Sequence, residues 1–231
     1  MLIGKEGCCG CSACQEICPH AAIVMQEDVK GFRYPVILED KCVKCGLCQI
    51  VCNAGNYYLK NQCTVIARLK DEEQLVRSQS GGAFVALSDI ILNAGGVCYG
   101  VGMDEKFEAV HRRAGNEKER DEMRGSKYVQ SRMENTYRLV EEDLKDKKVL
   151  FSGTPCQVGG LLKYLATKKA DMQNLYTVDL ICHGVSSVKI WRDLINYNQK
   201  NMGRWNKWYS VARISWELLE DQITTFCAKT N

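Results

Sequence analysis

Cys8-Cys9-Gly10-Cys11-Ser12-Ala13-Cys14-Gln15-Glu16-Ile17-Cys18-Pro19 is answered, 34 positions further on, by Cys42-Val43-Lys44-Cys45-Gly46-Leu47-Cys48-Gln49-Ile50-Val51-Cys52-Asn53. Both stretches space four cysteines as C-x-x-C-x-x-C-x-x-x-C, the pattern that holds a four-iron cluster in bacterial-type ferredoxins. In two-cluster ferredoxins the fourth cysteine of each run ligates the other cluster. The expected sets are therefore Cys8, Cys11, Cys14 and Cys52 for one cluster, and Cys42, Cys45, Cys48 and Cys18 for the other. Pro19 follows Cys18 as the motif asks, whereas Asn53 stands where a second proline is usual. The first expectation is electron transfer.

Competing uses of these cysteines fit less well. A structural zinc site takes four Cys or His ligands, usually as two close pairs across a longer loop, and a zinc-stabilised interaction protein is the weakest of the readings. A disulfide framework belongs to an oxidising compartment and to small secreted scaffolds. Cys9 breaks the register and reads as a spectator thiol. Cys63, Cys98 and Cys227 have no close cysteine neighbours and read as small buried hydrophobes.

The remaining composition sets bounds. The chain has 231 residues, 45% of them apolar, enough for one small and one larger domain. A formal charge of +3 gives no argument for a nucleic-acid partner. Met1-Leu2-Ile3-Gly4-Lys5 lacks the apolar core of a signal peptide, and no run of eighteen apolar residues offers a membrane span. With reduced thiolate ligands, the expected location is cytoplasmic.

Residues 1–60 read as two copies of one unit: a cysteine loop, a short helix around the fourth cysteine, then an extended stretch. Ala21–Met25 and Tyr34–Leu38 can pair as strands, with a turn near Lys30-Gly31. A unit so small has little core of its own, so metal–thiolate bonds should supply much of its stability, and removing iron should unfold it. Residues 61–79 read as a charged and polar connector. From residue 80 to about 200 the pattern alternates α and β. A helix is expected over Ala83–Asn93, ended by Gly95-Gly96, then a strand Val97–Val101. A charged stretch to about residue 123 and the helix Thr136–Asp146 follow. Lys148–Phe151 enters a buried strand, Gln157–Leu165 is helical, and Tyr176–Ile181 is a second buried strand. Apolar strands alternating with helices imply a largely parallel sheet.

Three loops in this region have the makings of an anion site. Ser152-Gly153-Thr154-Pro155 joins a strand end to a helix start, where backbone amides and the helix dipole favour negative charge. The Walker pattern is missing, which argues against nucleotide hydrolysis. Ser80-Gly81-Gly82 precedes another helix, and Arg124, Ser126 and Lys127 can neutralise phosphates. Capping and turn chemistry would explain any one loop alone. Three together, behind a ferredoxin unit, point to a flavin, because clusters pass single electrons and most substrates need two.

Ser80-Gly81-Gly82-Ala83-Phe84, the run Arg124–Ser131, Phe151-Ser152-Gly153-Thr154-Pro155-Cys156-Gln157 and Val178-Asp179-Leu180-Ile181-Cys182-His183-Gly184 occur in that order. With the cysteine runs they resemble the beta-subunit family of coenzyme F-420 hydrogenases and dehydrogenases over about residues 8–195. The resemblance implies FAD and iron–sulfur clusters, electron exchange with a deazaflavin or another acceptor, and a redox partner protein or subunit. It also implies flavin contacts at Ser80, Gly81, Gly82, Ser126, Lys127, Tyr128 and Thr154. Cys156 and Cys182, at strand ends, are expected beside the cofactor, either as thiols lining its cleft or as ligands of a further cluster. His183 is a pocket-wall candidate. Relatives usually continue beyond the point reached here, so 201–231, with Trp205, Trp208, Trp216 and Cys227, reads as a divergent or truncated tail. Arg204, Trp205, Lys207 and Trp208 imitate a nucleic-acid patch, but an amphipathic helix or disordered tail fits them better.

The expectation is thus a ferredoxin-like α+β domain with two 4Fe-4S clusters, followed by an α/β flavin domain, in an oxidoreductase subunit. The alternative is an electron-transfer module without flavin that feeds a partner enzyme.

Overall fold

The computed structural model describes residues 4–54, 66–78 and 80–202. Cys63, Gln79, Trp205, Trp208, Trp216 and Cys227 lie outside the described residues, as do the first part of the expected connector and nearly all of 201–231.

The cysteine unit contains α1 (Ala13–Ile17), β1 (Ile23–Glu27), β2 (Arg33–Ile37) and α2 (Leu47–Ile50). Each helix begins after a left-handed residue, Ser12 at φ 64° and Gly46 at φ 80°. Each carries the third cysteine of its run and stops before the fourth. Cys18 is already extended at ψ 112°. The helices thus surround the third cysteine instead of the fourth, because the chain must leave helical geometry for the fourth thiol to turn away. β1 and β2 pair antiparallel with Met25 opposite Pro35. A two-stranded ribbon has no central strand, so a proline there costs little pairing. Asp28 closes the turn by accepting from the Lys30 and Phe32 amides, and Gly31 takes φ 83°.

The second unit contains α3 (Glu72–Val76), α4 (Ala83–Asn93), β3 (Val97–Met103), β4 (Ala109–Ala114), α5 (Glu117–Asp121), α6 (Thr136–Asp143), β5 (Val149–Gly153), α7 (Pro155–Lys168), β6 (Leu175–Asp179) and α8 (Val188–Met202). The sheet order is β4-β3-β5-β6. β3, β5 and β6 run parallel and β4 is antiparallel at one edge. The mostly parallel α/β domain is as expected. α4 has the bounds read from sequence, and Gly95 and Gly96 donate back to the Leu92 and Ile91 carbonyls in a Schellman-type stop.

Several elements differ from expectation. The connector holds a real helix, α3, whose N-cap Asp71 accepts from the Gln74 amide. The charged stretch after Val101 folds into β4 and α5. β6 is an edge strand of mixed exposure rather than a buried one, and Ile181 beyond it is fully exposed. With β5 as its single sheet neighbour among the described residues, its apolar side chains have only one flank covered.

One hydrophobic core serves both units. Ala13, Ile17 and Val51 from the cysteine unit pack with Tyr99, Tyr137, Phe151, Leu161 and Leu165 from the α/β unit. The buried Glu16 carboxyl, pushed up to about 8 by burial, accepts from the Tyr137 and Arg138 amides at 2.7 and 3.2 Å, capping the start of α6 across the unit boundary. Arg138 in turn donates to the Glu16 and Cys18 carbonyls.

Candidate redox centre and adjoining cleft

The short helices and left-handed turns of the cysteine unit bring the thiols into two groups. Cys8, Cys11, Cys14 and Cys52 line one cavity, together with Cys9, Gly10 and Asn53. Cys18 packs with Cys14, Cys42 and Cys48, and lies buried against Ala22 and Ile23. Cys52 thus lies with the first three cysteines of the other run, while Cys18 borders Cys42 and Cys48 of the other run and Cys14 of its own. Two backbone amides already point at sulfur: Gly10 N–H at Cys8 Sγ, 3.4 Å, and Ala22 N–H at Cys18 Sγ, 3.3 Å. Such donors stabilise thiolate charge and suit cluster ligands. The cavity wall of thiols and the donors beside it fit the group that the motif implies. The second group is the outer one, since Cys45 is exposed and Val43 and Ile50 beside it are about 60% exposed (59% and 60%).

α7 supplies the seat for this unit. A Cβ on its Gly159 would overlap the Asn53 amide and force that side chain to move, and a Cβ on Gly160 would fall 2.9 Å from the Tyr137 hydroxyl and 3.2 Å from Cys11 Sγ. Asn53 donates to the Cys156 carbonyl at 3.4 Å. That contact gives the departure from proline a local reason, because proline has no side-chain donor. The Tyr137 hydroxyl reaches the Cys11 and Gln157 carbonyls at 2.9 and 3.0 Å.

A cleft of about 540 Å³ opens at the carboxyl ends of β5 and β6, between the starts of α4 and α7. Ligands collect at such a place in parallel sheets. Ser80, Gly81, Gly82, Ser126, Lys127, Thr154, Cys156 and Cys182 all line it. The three loops singled out in sequence are thus brought together. Gly82 takes φ 71° as N-cap of α4, and a Cβ there or on Gly81 would overlap Leu69 or the Ala67 carbonyl. Thr154 is the N-cap of α7, with Gln157 Oε1 accepting from its amide at 2.9 Å and its hydroxyl at 3.0 Å. Gln157 Nε2 donates to Ser131 Oγ at 2.8 Å, and Ser131 reaches His111 Nδ1 at 3.1 Å. His111 is stacked on Phe151, and burial holds it down at about 4, so this polar floor is uncharged at neutral pH.

Other expected residues are placed differently. Tyr128 does not line the cleft. It is 40% exposed, and its carbonyl accepts from Ser186. Lys127 and Val129 on either side of it do line the cleft. Arg124 reaches the cleft wall, but its guanidinium is bound to Asp121, the Ser78 hydroxyl and Gln74. It ties α3 to the loop instead of standing ready for a phosphate. Lys127 Nζ donates to the Met123 and Arg124 carbonyls, and burial, with Arg112 nearby, brings its ammonium down to about 7. His183 is exposed and outside the lining. Cys182 is exposed, with its thiol 3.9 Å from the Gly184 carbonyl.

Spacing alone misses Cys9. Together with Gly10 it belongs to both the cleft wall and the cavity of Cys8, Cys11, Cys14 and Cys52. Its offset from the C-x-x-C register, which argues against a ligand, leaves no sequence signal for this position.

These features define an iron–sulfur electron-transfer protein. Residues 7–56 match the family model of the 4Fe-4S dicluster domain. Residues 146–209 match the model for the C-terminal part of the beta subunit of coenzyme F-420 hydrogenase/dehydrogenase. One match falls in each unit, so the chain is similar to a dicluster ferredoxin in the first and to the C-terminal part of such a beta subunit in the second. An uncharacterized ferredoxin of Methanocaldococcus jannaschii is 33% identical over 54 residues, which are 23% of this chain and 32% of that protein. A solved F-420-reducing NiFe hydrogenase complex from Methanosarcina barkeri gives a TM-score of 0.47 at 20% identity, covering 58% of this chain and 48% of that one. The chain therefore spans about a third of the curated relative and about half of the solved chain. Among the described residues no helix is long and apolar enough to cross a membrane.

Proposed function

We propose that the chain is an iron–sulfur flavoprotein oxidoreductase subunit, in which Cys8, Cys11, Cys14 and Cys52 hold an inner 4Fe-4S cluster and Cys42, Cys45, Cys48 and Cys18 an outer one. FAD would lie in the cleft, held by Ser80, Gly81, Gly82, Ser126, Lys127 and Thr154. A flavin supplies the exchange between one-electron and two-electron chemistry. The observation that carries the proposal is the shared wall: Cys9 and Gly10 border both the inner thiol cavity and the cleft. Electrons would then pass between a redox partner at the outer cluster, the inner cluster and the cleft, where a deazaflavin or another acceptor is served. Such a subunit would work beside a partner in the cytoplasm.

Iron, acid-labile sulfide and flavin in anaerobically purified protein test this. About eight irons are expected for two four-iron clusters, with FAD retained on desalting. Protein that holds iron but releases all added FAD is instead the ferredoxin-type module that feeds a partner enzyme. That second reading is favoured by one observation: the cations at the cleft, Arg124 and Lys127, are already engaged by protein acceptors.

A further inference from the structure

The two helix starts that frame the cleft differ in what they offer a ligand. At α7 the Thr154 amide donates to Gln157 Oε1, Pro155 has no amide hydrogen, and the Gln157 amide returns to the Thr154 carbonyl at 2.9 Å. The Gln157 side chain is fixed in sense, because the atom facing the Thr154 amide has to be its oxygen. That oxygen only accepts, so the Thr154 hydroxyl, 3.0 Å from it, commits its single hydrogen there. Gln157 Nε2 turns away to Ser131 Oγ at 2.8 Å. Thr154 Oγ1 also stands 3.0 Å from Cys156 Sγ, a weaker acceptor than the amide oxygen. What Thr154 presents to the cleft it lines is therefore a lone pair. At α4 the N-cap is Gly82, which has no side chain to cap with, and the first bond back runs from Ala86 to the Gly82 carbonyl. The Ala83, Phe84 and Val85 amides thus have no acceptor within the helix, and all three residues line the cleft. Lys127 is anchored on the same side, on the carbonyl of Met123, whose side chain lies with that of Phe84 against Gly100.

We infer that Thr154 Oγ1 accepts the N3–H of the flavin ring, the one hydrogen the oxidised ring can donate, so that the ring lies over the start of α7 and the diphosphate at the start of α4 beside Lys127. A phosphate brings acceptors only and would meet a lone pair at Thr154. At α4 the same phosphate meets amides, the positive end of the helix dipole and an ammonium. The opposite placement would set the ring N–H against those donors. The inferred direction also puts the ring where the cleft abuts the cysteine unit, since Asn53, next to Cys52, donates to the Cys156 carbonyl. The diphosphate then points away from the clusters and the ring toward them. This inference rests on the FAD reading above and gives it a direction and a residue that selects the ring.

Lumiflavin, which is the ring alone, and ADP, which carries a diphosphate without the ring, separate the two ends in titrations of iron-loaded full-length protein. Thr154→Val should weaken lumiflavin and FAD by about tenfold, the loss of one hydrogen bond. It should move the absorption bands of bound FAD and leave ADP binding unchanged. Thr154→Ser, which keeps the hydroxyl, should restore both affinity and bands. Lys127→Met should weaken ADP and FAD by about tenfold, with lumiflavin and the bands unaltered. Thr154→Val that weakens ADP, or that leaves the FAD bands where they were, overturns the orientation. So does Lys127→Met that weakens lumiflavin. Wild-type protein with full iron that retains no FAD overturns the flavin reading itself, and this inference with it.

Discussion

Lys127 controls the charge of the cleft's wall. Burial first, and Arg112 second, lower its proton affinity from an ordinary 10.5 to about 7. Between those values the unfolded chain holds a proton that the folded chain has lost, so this group makes stability rise with pH across that window. An anionic ligand reverses the local preference and draws the proton back. FAD binding should therefore take up a proton and weaken as pH rises from about 7 to about 9, by at most about tenfold per unit. Lys127→Met should flatten that dependence and lower affinity, read by flavin fluorescence titration at each pH, with iron content unaltered. A slope that survives the substitution would assign the proton to another group. At the cysteines, Cys18→Ala should disturb the cluster of Cys42, Cys45 and Cys48, although these stand far from it in sequence. Its effect on Cys8, Cys11 and Cys14, its close neighbours in sequence, should be small. EPR of the reduced protein reads the two centres apart, and loss confined to the nearer set would refute the crossing.

At the scale of elements, α7 is both seat and boundary: its glycine pair meets the cysteine unit and its first turn opens on the cleft. Gly159→Leu would press a side chain into the Asn53 amide and break its hydrogen bond to the Cys156 carbonyl. Overpacking of this kind costs about 1–3 kcal/mol, visible as a lower thermal midpoint and faster proteolysis after α2. The elements also show where the sequence is readable. α4 is bounded by its own glycines, and the Ser152–Pro155 loop by a strand-to-helix turn, signals within a few residues. β4 is hidden because its Arg112 and Arg113 are neutralised by Glu122 and Asp143, acids that the linear order does not mark as partners. β6 reads as buried because its apolar content is that of a central strand, and only the sheet order puts it at an edge. Tyr128 reads as a contact because its neighbours are, although its backbone is tied to Ser186 and its side chain is left partly exposed outside the lining. Cys9 escapes because spacing reports on ligands, while its place depends on a second unit folding against it.

For the whole molecule, the shared core alters what iron removal should do. Sequence alone predicts loss of residues 1–60 and nothing more. Ala13, Ile17 and Val51 lie in the same apolar cluster as Phe151 and Leu165, and Glu16 caps α6, so the two units share their unfolding. Chelation should lower the thermal midpoint of the α/β unit as well, in one transition by circular dichroism and calorimetry. Two separate transitions, the second at an unchanged temperature, would contradict this. Ile17→Ala should cost about 2–5 kcal/mol, felt in the same single transition even when both clusters are intact.

Ferredoxin units are attractive as interchangeable cassettes, to be cut from one protein and spliced onto another. Here the cut face would be greasy and half-capped. Excised at residue 54, the unit would show Ala13, Ile17 and Val51 to water and leave the Glu16 carboxyl without the amides that hold it. A transplant would have to carry α6 and α7 along as a cradle, or repaint three apolar positions and Glu16. The wiring of this protein is thus hereditary property of the pair, and it does not travel as a plug.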